Sequence, residues 1–356
     1  MQRVRLFLSL LCLVRGWSLR LGSTPALKLR LPYRKPLLAM SQSTLAEKII
    51  EKAFSIRPLF KLVAGVARSS IVKQGAAIGV DWEKETQALY DKMNTLENYF
   101  SKFNSPKLEY PSYYLKPFHA YDEGNLSWQA AVEVEAAALS VHAHIYTPSR
   151  KILDINGDFM LRDNFHKNMM SILSKSNVRP IRQILDIGCS TGLSTLKLHD
   201  TFPDAEIIGC DLSPYMLAVA RLRLEDDNHR SAQGKVEYLH SAGEATPLND
   251  NSVDLVSICL VSHELPQDAS RSVFQEAYRV LRPGGVLSFM DMNPRSEAFQ
   301  RFAANTFAFQ AFRSTEPWLL EYISLDLEAM LQDCGFSEVT MIPNSPRHRT
   351  IVAMKK

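Results

Sequence analysis

Apolar positions change rhythm several times along the chain. Leu6 to Val14 is an apolar run among basic residues, too short to span a bilayer. Thr44 to Lys73 mixes apolar and charged residues at helical intervals, and Asp81 to Phe103 does so again through Leu89, Met93, Leu96 and Phe100. Two or three helices follow from that spacing. Ser105 to Tyr121 (SPKLEYPSYYLKPFHAY) breaks the rhythm; its prolines and tyrosines predict an extended, turning segment laid over a domain. Asn125, Leu126 and Ser127 open a helix through Trp128, Val132, Val134, Ala137, Leu139 and Val141, with Glu133 and Glu135 placed to suit its positive end. A further helix runs from Gly157 to Lys175, and Asn177 to Pro180 marks a boundary.

From Ile181 the pattern becomes strand and helix in alternation: strand to Ile187, helix from Thr191, strand to Cys210, helix Pro214 to Leu224. Val236 to Leu239 and Val253 to Val261 are strands three and four, Gln267 to Leu281 a helix ended by RPGG, and Gly285 to Met290 strand five. Short apolar runs alternating with helical stretches predict an α/β fold, a doubly wound, mostly parallel sheet with helices on both faces. After Asp291 the spacing predicts helices over Ser296 to Phe312 and Asp326 to Cys334, then a closing hairpin from Phe336 to Ile342 and Thr350 to Met354. Periodicity alone does not order these strands.

At 356 residues and 46% hydrophobic content, the chain can bury an α/β domain plus a substantial extra region. Its net charge of +3 divides unevenly. Eight Lys and Arg but no acid precede Glu47, which leaves 33 bases against 38 acids in the remainder. The basicity therefore belongs to a leader, residues 1–46, and the rest has no electrostatic footprint for nucleic acid. MQRVR followed by LFLSLLCLV imitates a secretory signal, but basic residues continue through Lys35, which favours an organelle transit peptide. Cys12, Cys189, Cys210, Cys259 and Cys334 show no metal-ligand spacing and read as reduced core residues of a reducing compartment. An amphipathic stretch with Phe54, Leu59, Phe60, Leu62 and Val63 has the make-up for peripheral membrane contact, or for simple packing with a solvated face.

The chemistry concentrates in IRQILDIGCSTG, residues 181–192. A buried strand ends in Asp186 and then a loop of small residues, whose Gly188 and Gly192 let backbone approach a ligand. Asp211 closes the next strand 19 residues after Gly192, a spacing that suits a carboxylate accepting both ribose hydroxyls. DIGCSTG, GCDLSPYML and RVLRPGG, in that order, resemble the class I S-adenosylmethionine-dependent methyltransferases, type 11, of the ubiquinone and menaquinone C-methyltransferase kind. Similar two-part chains look like plant and algal plastid proteins. The resemblance implies a seven-stranded sheet with an antiparallel final strand, a cofactor domain over 178–356, and a helical N-terminal extension over 47–177 that caps the acceptor pocket. It implies a chloroplast address, with mitochondrion the alternative, and an apolar, phenolic or quinone-like small-molecule acceptor.

Ligands of open α/β sheets bind beyond the carboxyl ends of strands, so Asp186 to Gly192, Asp211 to Leu212, Ala242 to Glu244, Cys259 to Glu264 and Asp291 to Pro294 should converge. By resemblance Gly188, Cys189, Ser190 and Gly192 border the methionine part of S-adenosylmethionine, Asp186 supports its ammonium, Asp211 takes the ribose, and Leu212 and Met216 flank adenine. Leu260 and Val261 complete the cofactor wall. Ser190 stands where the family often has a third glycine, acceptable if its backbone angles stay ordinary. Ala242 stands where an acid commonly meets the adenine amino group, leaving backbone at Gly243 or the Glu244 side chain as the substitute.

Methyl transfer from a sulfonium asks a protein to align acceptor and donor, exclude water and remove a proton. His263, in VSHELP, is the candidate base, with Glu264 or Asp291 to orient or replace it. His119, Tyr121, Asp122, Glu123 and Trp128 are the candidates for a substrate lid, against the plainer reading that such aromatics seal a core edge. Position 267 is Gln, so HELP is no HExxH zinc motif, and His142 and His144 lie on different faces of a helix; no metal is expected. Two other functions share parts of this pattern: a nicotinamide-dependent oxidoreductase with the same glycine loop, and a non-catalytic fold used for sensing or interaction. Asp186 ahead of the loop and RPGG after it favour the methyltransferase.

Overall fold

The computed structural model describes residues 57–119, 121–147, 152–176 and 178–356, all within one compact unit that begins at Ser43. The leader expected over 1–46 lies outside the described residues, as do the side chains of the amphipathic stretch, whose backbone is helical from Arg57. Among the described residues, no helix is long and apolar enough to cross a membrane.

Among the described residues, five helices precede the sheet: α1 (Arg57–Ala77), α2 (Trp82–Tyr90), α3 (Met93–Phe103), α4 (Trp128–His142) and α5 (Gly157–Leu173). Asp81 caps α2 through the Lys84 amide and Ser127 caps α4 through the Ala130 amide, each satisfying a donor that the helix leaves open. Glu133 and Glu135 are not in the first turn of α4, as expected from sequence; they lie deeper and form ion pairs with Arg68 and Arg223 instead.

The sheet then forms from β1 (Gln183–Ile187), β2 (Glu206–Asp211), β3 (Val236–His240), β4 (Val253–Cys259), β5 (Leu281–Met292), β6 (Phe336–Pro343) and β7 (His348–Lys355). Their order is β3-β2-β1-β4-β5-β7-β6, and β7 is antiparallel to both its neighbours. The topology switches between β1 and β4, where chain connections leave in opposite directions and open a crevice at the carboxyl edge.

Helices α6 (Leu193–Thr201), α7 (Pro214–Leu224), α8 (Gln267–Val280), α9 (Glu297–Ala303), α10 (Thr306–Thr315), α11 (Leu319–Ser324) and α12 (Leu327–Asp333) complete the chain. Side chains alternate across the strands: Leu185, Val256 and Leu287 pack with Val273, Phe274 and Ala277 of α8 on one face. Ile184, Leu255 and Val286 pack with Met169 and Leu196 on the other. Both faces are covered, and every residue of β4 is buried accordingly. The N-terminal helices join through α7, where Leu96, Ala130, Met216 and Val219 share one cluster.

Several boundaries differ from the sequence reading for physical reasons. Helix α6 starts at Leu193 rather than Thr191, because Gly192 sits in the left-handed region at φ 83°. Strand β4 stops at Cys259 rather than Val261, since Leu260 turns the chain at φ 60°. RPGG does not stand between elements: Leu281 already pairs with Val253, and the register shift before Val286↔Leu255 makes the motif an irregularity inside β5. The single helix expected over Ser296 to Phe312 is two, because Asn305 leaves helical geometry and caps α10 through the Ala308 amide.

Candidate active site

At the carboxyl edge of β1 the chain alternates unusual backbone: Gly188 at φ 69°, Ser190 at 50° and Gly192 at 83°. A Cβ on Gly188 would meet Val261 Cγ2 at 2.5 Å, so the turn lies against the loop after β4. A Cβ on Gly192 would instead strike the Tyr238 hydroxyl, so that glycine serves packing inside the protein. Ser190 does not have the ordinary backbone angles expected of it. Its left-handed conformation is held by its amide donating to Asp211 Oδ2 at 2.8 Å and its hydroxyl lying 3.5 Å from Met216 Sδ. Cys189 is buried, with Sγ turned toward Gly209, so its backbone alone can face the crevice.

Asp186 and Asp211 occupy different environments. Asp186 is wholly buried; Oδ2 accepts from the Ser194 and Thr195 hydroxyls at 2.8 Å each, while Oδ1 is buried without a hydrogen-bond partner. Burial pushes its carboxyl up to about 6 against the pull of those hydroxyls. Asp211 is held by backbone, accepting from Ser190 N on Oδ2 and Ser213 N on Oδ1, both at 2.8 Å. Burial raises its carboxyl, opposed by those amides and by the Tyr114 hydroxyl. A carboxylate has about four acceptor positions, and the Ser190, Ser213 and Leu212 amides and the Tyr114 hydroxyl act on all of them, so a ligand's donor would take the place of Tyr114.

Over this rim lies the segment between α3 and α4. Ser105 N donates to His240 Nδ1 at 3.2 Å, while Tyr113 donates to Glu244. His240 Nε2 meets the Leu212 carbonyl at 3.0 Å, tying β3 to the loop after β2. Glu244 is thus engaged by the strap, and a Cβ on Gly243 would meet Ile187 Cγ2 at 2.5 Å. Leu212 and Met216 are both buried, Met216 within the α7 packing.

Across the crevice stands a cluster of acids and imidazoles. His263 Nδ1 lies 2.7 Å from Asp291 Oδ1, and the His263 and Met292 amides donate to the same carboxylate at 3.1 and 2.7 Å. Burial works against charge on His263, but Asp291 and then Glu264 and Glu316 outweigh it and push the imidazole up to about 10. Burial would raise Asp291, but His263 holds it below the usual carboxylate range. The ring therefore carries its proton at neutral pH and donates rather than accepts. Glu264 is pushed up to about 7 by burial and by Glu316 and Asp211, with His119 and His263 opposing.

The structure separates the expected lid residues. His119 joins the cluster, its Nε2 3.2 Å from Glu316 Oε1 and 3.8 Å from Glu264 Oε1. Tyr121 and Trp128 do not. The Tyr121 hydroxyl donates to Glu133 at 2.8 Å, and Trp128 packs on Phe100 and Tyr215 with centroids 5.7 and 5.0 Å away. With Ser127 as cap, Trp128 opens α4 and faces the helices. Glu123 is exposed.

Three contributions to the site, from four residues, carried no motif. Tyr113 and Tyr114 are the strap residues that reach the rim, Tyr114 standing close enough to Asp211 and Glu264 for both carboxylates to oppose its ionisation. Arg162 of α5 is the second. Its Nε donates to Asp158 Oδ2 at 2.9 Å, and its NH1 lies 3.5 Å from Cys259 Sγ. Burial disfavours its charge, but Asp158, Cys259 and Asp186 together keep the guanidinium firmly protonated. Glu316, at the end of α10, is the third; it is 3% exposed and its Oε2 is buried without a hydrogen-bond partner. Proline and tyrosine spacing signals the strap, but nothing local in sequence signals Arg162 or Glu316. Among the described residues, no group of three or more His, Cys, Asp or Glu is arranged to hold a metal ion.

A family model described as Methyltransferase domain matches residues 185–289, the part of the sheet that carries this rim. The chain is 31% identical over 185 residues to the ubiquinone/menaquinone biosynthesis C-methyltransferase UbiE of Pseudomonas fluorescens, covering 46% of this chain and 69% of that protein. It is 30% identical over 185 residues, with the same coverage, to the protein of that name from Ectopseudomonas mendocina. It is 29% identical over 204 residues to the demethylmenaquinone methyltransferase of Listeria welshimeri, covering 52% of this chain and 82% of that protein.

Proposed function

Since the chain belongs to the class I S-adenosylmethionine-dependent methyltransferases of the ubiquinone/menaquinone C-methyltransferase type, we propose that it methylates a small apolar acceptor bearing a phenolic or quinol hydroxyl. One observation carries this reading. The Gly188–Gly192 turn with Asp211 forms one wall of the crevice, and His263, Asp291, Glu264 and His119 form the other, with Tyr113 and Tyr114 from the strap above.

The residues fit the cofactor. Gly188 approaches Val261 so closely that a Cβ has no room, Asp186 Oδ1 is a buried acceptor in want of a donor, and the strand ends present Asp186, Asp211, Glu264 and Asp291. An anionic rim suits a cationic donor, and S-adenosylmethionine supplies an electrophilic methyl on a positively charged sulfur. In this reading the 188–192 turn borders the methionine half and Arg162 takes its carboxylate. Asp211 accepts from the ribose, and Leu212 and Met216 flank adenine. His263, held protonated by Asp291, donates to an acceptor oxygen and stabilises negative charge there. The strap and the N-terminal helices, residues 47–177, exclude water above the crevice, while 178–356 holds the cofactor.

The address belongs to the same proposal. An acid-free leader with eight basic residues supports import into an organelle, the plastid first and the mitochondrion second. An apolar acceptor is consistent with peripheral membrane contact by the amphipathic stretch. The experiment incubates the full chain with methyl-labelled S-adenosylmethionine and, separately, a prenylated naphthohydroquinone, a prenylated benzohydroquinone and a catechol, followed by mass spectrometry. Label in one of the aromatic products is expected. Cofactor binding by calorimetry with no label in any of the three would sink the acceptor assignment.

A further inference from the structure

We propose that the proton leaving the acceptor is taken up by a carboxylate pair, Glu264 and Glu316, bridged by His119, rather than by His263. The inference rests on the hydroxylated acceptor proposed above and goes beyond it by assigning the base.

Three separated segments build the pair. Glu264 ends the short helical turn Ser262–Glu264 after β4, and Glu316 caps the carboxyl end of α10. His119 comes from the strap, whose backbone is pinned beside Glu316 by His119 N donating to the Thr315 carbonyl at 3.1 Å. The same ring nitrogen, Nε2, lies 3.2 Å from Glu316 and 3.8 Å from Glu264. His119 holds a left-handed φ of 50°, a conformation that persists where surrounding contacts enforce it. Lys116 stacks over Trp318 at 4.2 Å and adds a second tie between strap and α11.

Accessibility fits the role. The His119 side chain is 38% exposed and that of Glu264 22%, so both line open space, whereas that of Glu316 is 4% exposed. A desolvated carboxylate oxygen without a partner, such as Glu316 Oε2, is costly and marks a position that a ligand's donor completes. Burial, with Glu316 and Asp211 as acidic neighbours, pushes Glu264 up to about 7 against the pull of His119 and His263. The groups facing Glu264 are Glu316, Asp211, His119, His263 and the Tyr114 hydroxyl. His263 is unsuited to the task because Asp291 already holds its proton in place.

The chemical step balances. A bond forms between the acceptor atom and the methyl carbon as the carbon–sulfur bond breaks, and that electron pair stays on sulfur, leaving a neutral thioether. The hydroxyl proton passes to the ionised member of the pair. When oxygen is the methylated atom, it is then released to solvent past His119. When ring carbon is, the hydrogen on that carbon leaves as a proton instead, the ring regains aromaticity as a phenolate, and the pair returns its proton to that oxygen.

The test uses the full chain and two readouts. In methyl transfer to whichever of the three acceptors takes the label, kcat should rise with pH through about 7. Glu264→Gln and Glu316→Gln should each lower kcat about 100-fold, with KM for S-adenosylmethionine unchanged. Residual activity of Glu316→Gln should rise through a lower pH, because Glu264 has lost its acidic neighbour. His263→Asn should lower kcat yet keep the acid limb where it was. Independently of any acceptor, protein labelled with carbon-13 at glutamate carboxyls should show Glu264 titrating near neutrality, and downward in Glu316→Gln. Glu264 titrating in the ordinary carboxylate range, or unmoved by Glu316→Gln, overturns the pair even if no acceptor is found. An acid limb lost only in His263→Asn does so too. Should Glu316→Gln fail to fold, the wild-type titration of Glu264 and the kcat of Glu264→Gln decide: titration in the ordinary carboxylate range, or an unchanged kcat, overturns the pair.

Discussion

Replacing Gly188 with Ala tests the geometry on which the crevice depends. Two costs add at this position. An L-residue held at φ 69° loses roughly 1–2 kcal/mol, and a methyl 2.5 Å from Val261 Cγ2 overpacks the turn by about 1–3 kcal/mol. Gly188→Ala should therefore destabilise the protein by about 2–5 kcal/mol. Val261→Ala alone removes two methyl groups from a half-buried side chain and should cost about 1 kcal/mol. Combined, the two should not add. Removing Val261 Cγ1 and Cγ2 takes away the steric part and leaves the backbone part, for a favourable coupling of about 1–3 kcal/mol. Urea unfolding of the four proteins in the double-mutant cycle measures it. Additivity within about 0.5 kcal/mol would refute the close approach of the turn to the loop after β4.

Asp211→Ala should weaken S-adenosylmethionine binding at least tenfold by calorimetry while leaving the fold intact, and wild-type affinity would remove Asp211 from the cofactor site. Asp291→Asn should cost about 3 kcal/mol near pH 6 by breaking a buried pair. The sign follows from both partners. His263, raised to about 10, contributes stability in full below about 6.5 and loses it as pH climbs toward 10. Asp291, lowered, contributes above about 3.9 and loses it in acid. Wild-type stability should thus fall between pH 7 and 10 more steeply than that of the variant, and equal slopes in urea unfolding at several pH values would contradict the pairing. Ser190→Gly should relieve a left-handed residue and raise stability by roughly 0.5–1 kcal/mol in urea unfolding, and a loss would show that the Ser190 side-chain contact with Met216 outweighs the backbone strain.

The sheet was legible because its strands are short, apolar and bounded by turn residues; Pro214 to Leu224 begins and ends where the sequence places it. That Asp186, Gly188 and Asp211 stand at neighbouring strand ends was legible for the same reason, since local pattern finds where strands stop. What sequence missed depends on contacts across long stretches of chain. Arg162 is 97 residues from Cys259, and His119 must be folded back from the strap before Glu316 or Glu264 has a partner. Tyr121 and Trp128 had the right composition for a lid, but the Tyr121 hydroxyl is taken by Glu133 of α4, and Trp128, which opens α4 after its Ser127 cap, is carried into the packing on α7. Ser190 misled in the opposite direction, because a small polar residue gives no sign that Asp211 will pull its amide into a left-handed turn.

The segment from Ser105 to His119 touches His240 and Glu244 at one end of the crevice and Glu316 at the other. A single ribbon fastened at both ends acts as one turnstile for two passengers. On the proposed reading, a strap that shifts to admit the donor would also shift His119 beside the acceptor, and each molecule's affinity would then depend on the other by the same factor.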